Sequence, residues 1–136
     1  DVSRIDPLFE RVARVHGDRE PQLVEARKLF SQLASHLDFH MLKEEQVLFP
    51  AFIEEAQPQT EKRLDGPIHC MRNEHKCDEE SLLKLKSLLN DFCPSEGACQ
   101  SYRTLLVLLR ELVDDTFEHM KIENNILFPR FSNVTE

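Results

Sequence analysis

Apolar residues recur at intervals of three and four along most of this chain, which is the period of an α-helix. The first segment carries Ile5, Leu8, Phe9, Val12, Val15 and His16 on one stripe, and Gly17 is placed to stop it. Pro21 can open a second helix whose inner stripe reads Leu29 or Phe30, Leu33, Leu37, His40, Glu44 and Leu48, ending at "QPQT". A third starts near Gly66-Pro67 and turns Ile68, Met71, His75, Leu82, Leu85, Leu88 and Phe92 inward, with Cys93-Pro94 as its break. The fourth runs from Ser95 or Ser101 to Phe131, with Leu105, Leu109, Leu112, Thr116, His119, Glu123 and Leu127 inward. Three long helices with short connections predict an all-α, antiparallel up-down-up-down four-helix bundle, with residues 1–136 as one domain. The first helix is shorter than its partners, so it is expected to be truncated at its N-terminus and to continue upstream of Asp1.

Two of these stripes are interrupted in the same way. His40 to Phe52 and His119 to Phe131 share His, Met, Glu, Leu, Phe, Pro and Phe, giving H-M-x-x-E-x-x-x-L-F-P-x-F twice. Histidine and glutamate at i and i+4 project from the same side of a helix, about 6 Å apart along its axis. Burying two carboxylates unpaired in one core costs several kcal/mol each, and they repel. A cation between them removes both problems. Counting about 1.5 Å per residue from the helix ends puts His40, His75 and His119 within a turn or two of one level. Three imidazoles and two carboxylates, His40, Glu44, His75, His119 and Glu123, are therefore expected to converge. Imidazole with carboxylate suits iron, manganese or zinc, and two glutamates on facing helices can bridge a pair of ions. Pro50 and Pro129 should bend their helices, and the Leu-Phe pairs beside them would close an apolar plug below that layer.

Composition narrows the rest. Of 136 residues, 40% are hydrophobic, enough for one real core. The net charge of −8 argues against nucleic acid or an anionic membrane surface as partner. No apolar run approaches the roughly 20 residues of a membrane span. Cys70 and Cys77, seven apart on one helix, cannot bridge. Cys93 and Cys99 flank a "PSEGA" turn and could meet, but the expectation is free thiols in a cytoplasmic protein.

"SHLDFHMLKEEQVLFP", "MRNEHKCDEE" and "LVDDTFEHMKIENNILFPR", in this order, resemble the hemerythrin-like domain of the RIC (repair of iron centres) di-iron proteins. The resemblance covers essentially the whole chain. It implies two iron ions held by His40, Glu44, His75, His119 and Glu123, with Glu44 and Glu123 bridging and an oxo or hydroxo group as a further bridge. It implies a role in repairing iron–sulfur clusters after nitrosative or oxidative damage, as iron donor or nitric oxide-reactive centre, with damaged iron–sulfur proteins as recipients. The family also has a further histidine ligand on its first helix and a small cysteine-bearing N-terminal domain; this ligand is expected a few residues before Asp1. His16 lies at the end of its helix, about 25–30 Å from His40, and reads as a C-terminal histidine favoured by the helix dipole. His36, one turn before His40, and Glu74, beside His75, are candidates to orient ligands or line an access path. His36 could also stand in for the absent ligand. His69 falls on another face.

Two other classes compete. One is a hemerythrin-type carrier or sensor binding oxygen or nitric oxide, whose oxygen-carrying members place H-x-x-x-x-D on the last helix instead. The other is a metal-free helical interaction module, which the inner-stripe carboxylates disfavour. A ferritin-like oxidase is disfavoured because its E-x-x-H order is reversed here.

Overall fold

The computed structural model describes residues 2–48, 50 and 65–130. Four helices account for most of them: α1 (Val2–His16), α2 (Gln22–Lys43), α3 (Asp65–Leu88) and α4 (Gln100–Ile122). Helix α1 packs against α2 and α4, α2 against α3, and α3 against α4, which closes the ring of an up-down-up-down bundle. Among the described residues there is no strand, and no helix is long and apolar enough to cross a membrane.

Helix α1 buries Ile5, Phe9, Val12, Ala13 and His16, a 3.6-residue stripe that leaves Val15 60% exposed where the sequence pattern had placed it inward. Gly17 ends this helix through its N–H bond to Ala13 O at 2.8 Å. A Cβ at Gly17 would lie 2.3 Å from that same oxygen, so only glycine makes this turn without a shift. Phe9 and Phe30 then meet with ring centroids 5.5 Å apart, both fully buried, and join α1 to α2. Burying each such ring contributes about 1.5–3 kcal/mol.

Helix α3 stops sooner than Cys93-Pro94. It ends at Leu88, and Asn90, Asp91 and Phe92 take left-handed φ values of 53°, 59° and 61°. Asn and Asp tolerate that region better than most side chains, and the turn folds Phe92 back into the core. The apolar core continues through Leu82, Leu85, Leu105, Leu106 and Leu109. Beyond Leu37 and Leu112 buried polar side chains join the apolar ones of Ile68, Met71, Met120 and Phe128.

Both repeated motifs leave the α-helix at the same place, with π-helical turns at Glu44–Leu48 and Glu123–Leu127. In the second copy the Phe128 N–H bonds Glu123 O, five residues back. Pro129 supplies no N–H, and its ring would crowd the carbonyl four residues before it. Widening the preceding turn relieves that crowding. Of the apolar plug, Phe128 is fully buried; Phe49 lies outside the described residues.

Candidate metal centre

Each glutamate that opens a π turn donates its own N–H back to the histidine four residues earlier, Glu44 to His40 O and Glu123 to His119 O. Their side chains therefore start from helical geometry and point with the histidines into the bundle. His40, Glu44, His75 and Glu123 are all buried. One donor atom from each lies within 4.8 Å of the others. His40 Nε2 is 2.9 Å from Glu44 Oε1, 3.0 Å from His75 Nε2 and 3.7 Å from Glu123 Oε1. His75 Nε2 is 3.0 Å from Glu123 Oε1.

His119 differs from its place on the sequence stripe. It is 43% exposed, and Met120 is buried beside it. Its Nε2 still reaches the cluster, 3.3 Å from Glu44 Oε2 and 3.3 Å from Glu123 Oε2. The two carboxylates thus turn one oxygen to His40 and, for Glu123, His75, and the other oxygen to His119.

The surroundings fix how the rings present their nitrogens. His75 Nδ1 donates to Asn124 Oδ1 at 2.8 Å, so a neutral His75 with its proton held there would offer its Nε2 lone pair to a cation in the cluster. The backbone carbonyl of Asn124 accepts separately from Arg72 at 3.1 Å. Phe128 stacks on the His75 ring at 5.7 Å, and the Arg72 guanidinium lies 5.6 Å from the Phe128 centroid. Glu74 Oε2 sits 3.6 Å from His40 Nδ1, and Lys43 pairs with the other Glu74 oxygen.

Burial would push the His40 imidazole down, but the neighbouring carboxylates of Glu123 and Glu44 outweigh burial and raise it to about 9. His119, whose Nε2 faces a carboxylate oxygen of Glu123 and one of Glu44, rises to about 10. Burial pushes the Glu123 carboxyl up, yet His119, His40 and His75 together hold it well below the usual carboxylate range. Even so, neither Glu123 oxygen has a hydrogen bond of good geometry, although three imidazole nitrogens lie within 4 Å of the carboxylate. His75 Nε2 and His40 Nε2 face each other at 3.0 Å, where at most one can carry a proton. Lone pairs converging on a common point, rather than matched donors and acceptors, are what a cation would satisfy. The nitrogen and oxygen donors suit a first-row transition metal.

The remaining sequence candidates lie elsewhere. His36 is half exposed and its Nδ1 lies 2.5 Å from Asp78 Oδ1. His16 is buried at the far end of α1 beside Cys99, away from the cluster. His69 contacts Asn73 on the surface. All four cysteines are free and exposed. Two residues were missed. Asp78, only 2% exposed, falls three residues after His75 and four before Leu82, so the helix period alone could have placed it inward. Asn124 offered no comparable signal beyond adjoining Glu123.

A helical bundle whose interior carries buried imidazoles and carboxylates in one cluster defines a cation-binding bundle. The chain matches the hemerythrin HHE cation binding domain over residues 3–131 and belongs to that family. It is 39% identical over 125 residues to an iron-sulfur cluster repair protein YtfE of Yersinia pseudotuberculosis, an alignment covering 90% of this chain and 54% of that protein. Similar proteins of the same name occur in Dickeya chrysanthemi and Edwardsiella ictaluri, each 37% identical over 123 residues with the same coverage. The chain spans about half the length of these curated relatives.

Proposed function

We propose that residues 1–136 form one domain that holds two iron ions and serves in the repair of damaged iron–sulfur clusters. The observation that carries this reading is the division of each carboxylate between two nitrogen sets. His40 and His75, with Glu44 Oε1 and Glu123 Oε1, would hold one ion; His119, with Glu44 Oε2 and Glu123 Oε2, would hold the other. Bound iron would supply one-electron redox change and a position for a diatomic ligand. Within the chain, Asn124 keeps the His75 proton on Nδ1, Glu74 faces His40 Nδ1, and the stacked Phe128 ring limits water on the His75 side. The half-exposed His119 makes its ion the more accessible of the two and the natural one to release. The relatives' shared name supports the repair role, and a free-thiol, net-acidic chain fits a cytoplasmic setting.

The test is transfer. The loaded chain, carrying an iron isotope, is mixed with a [4Fe–4S] protein whose cluster nitric oxide has damaged. Recovery of cluster absorbance with the isotope incorporated is the expected result; no recovery and no transfer from a chain retaining two irons would overturn the donor role. A second reading, reversible oxygen or nitric oxide binding, draws on a cavity of about 360 Å³ beside His40 and His119, walled by Leu37, Met41, Leu112 and Met120. A nitrosyl absorption band that reverses on purging, without iron transfer, would favour it.

Asn124 gives a separate check. Asn124→Ala frees the His75 tautomer without touching a proposed ligand, so metal affinity should fall about 10- to 100-fold while the fold persists. Titration with Co(II) in competition with a chelator measures this; unchanged affinity would remove Asn124 from the centre.

A further inference from the structure

Away from the buried centre, the C-terminal end of α1 meets the N-terminal end of α4. His16 is the last residue of α1 and is buried; its Nε2 lies 3.2 Å from Sγ of Cys99, the N-cap of α4. Cys99 itself is exposed. We propose that His16 and Cys99 form a reactive thiol site, independent of the metal centre, that takes low-molecular-weight disulfides and becomes a mixed disulfide at Cys99.

Three features of this corner support it. An imidazole at hydrogen-bond distance can accept the thiol proton, the arrangement by which histidine activates a cysteine nucleophile. The two helix ends favour the resulting charges: the imidazolium sits at the C-terminus of α1 and the thiolate at the N-terminus of α4. The imidazole is also held in place. Its ring packs against Tyr102 with centroids 5.5 Å apart, and Tyr102 donates to Glu20 Oε1 at 3.3 Å. Ser95 donates to Glu20 Oε2 at 3.2 Å, while the Glu20 N–H bonds His16 O at 2.9 Å. One carboxylate thus ties the turn after α1 to the segment leading into α4 and to Tyr102, the ring against which the imidazole packs.

The reaction balances without another oxidant. His16 Nε2 takes the thiol proton, and the Cys99 sulfur bonds to one sulfur of the disulfide. The old S–S bond breaks, and the departing thiolate carries away its electron pair and is protonated by water. Solvent access does not by itself single out Cys99, because Cys70, Cys77 and Cys93 are exposed as well. Those three are internal controls.

The experiment treats the reduced 136-residue chain with substoichiometric 4,4′-dithiodipyridine at neutral pH, blocks unreacted thiols with N-ethylmaleimide, and maps the label by peptide mass. Cys99 is expected to react at least about tenfold faster than each of the other three. A Cys99 rate no higher than theirs overturns the proposal in the unmodified chain, with no variant needed. His16→Gln, shown to be folded by a helical circular dichroism spectrum and a cooperative melt matching the unmodified chain, should bring Cys99 down to the rate of the other thiols while leaving theirs unchanged. Cys99 staying fast in that folded variant would overturn the role of His16. Should the variant unfold, its four thiols react alike and the ranking in the unmodified chain decides.

Discussion

Replacing Glu123 by leucine should leave the chain with at most one iron in place of two, and Glu44→Leu should do the same. Each carboxylate contributes an oxygen to both nitrogen sets, so its loss removes a donor from each proposed ion at once. The His119 set has three donors among the described residues, and it should empty first because losing one leaves a single imidazole and a single carboxylate oxygen. The metal-free fold should tolerate the change. Without Glu123, His40 and His119 lose the partner that contributes most to keeping them protonated, so the substitution leaves apolar surface and more nearly neutral imidazoles rather than an orphaned buried charge. Iron per chain by plasma mass spectrometry, read beside the melting temperature of the metal-free variants, separates metal loss from unfolding. Both variants retaining two irons would rule out bridging by these glutamates.

What could be read from the sequence follows from what periodicity encodes. The stripe His40–Glu44 and the stripe His119–Glu123 are local patterns on one helix each, and both copies end in the same Leu-Phe-Pro. That made the layer of five residues legible, and the structure brings all five together. His75 was legible only because two other helices supplied a level for it to match.

The features that escaped lie between helices or depend on a break in helical phase. Asp78 stands on the inner stripe of α3, but its partner His36 is on α2, and no single-helix pattern announces that pair. Asn124 reaches His75 because Glu123 begins a π turn, which changes the direction of the side chains that follow it. The prolines signalled a bend in each helix without saying that the turn before them would widen. His119 shows the limit of the stripe itself: Leu109, Val113 and Met120 hold the true inner line, so the histidine flanks the interior and reaches in from its edge. The His16–Cys99 pair needed the closed ring of helices before its two members, 83 residues apart, could meet.

Metal binding and pH should be strongly linked, with opposite signs for the empty and the loaded chain. In the empty chain, His40 is raised from 6.5 to about 9 and His119 from 6.5 to about 10. Groups raised in this way contribute stability that is fully present below 6.5 and is lost as pH climbs through about 9 and 10. Glu123 is depressed from 4.5, so its contribution is present above that value and disappears as pH falls. The empty bundle should therefore be most stable between about pH 4.5 and 6.5 and weaken toward alkaline pH. A cation needs the Nε2 lone pairs of both histidines, so loading at neutral pH must expel their protons. Two protons released would change affinity about a hundredfold per pH unit, and one would change it about tenfold. His119 is partly exposed, and solvent screening places the expected slope between these limits. Calorimetry with Co(II) in buffers of different ionisation enthalpy counts the protons directly. Melting curves at pH 6 and pH 8 then give the second readout: the empty chain should lose stability on going to pH 8 while the loaded chain gains it. Parallel shifts of the two curves, with no protons released on binding, would mean that His40 and His119 do not surrender their protons to the metal.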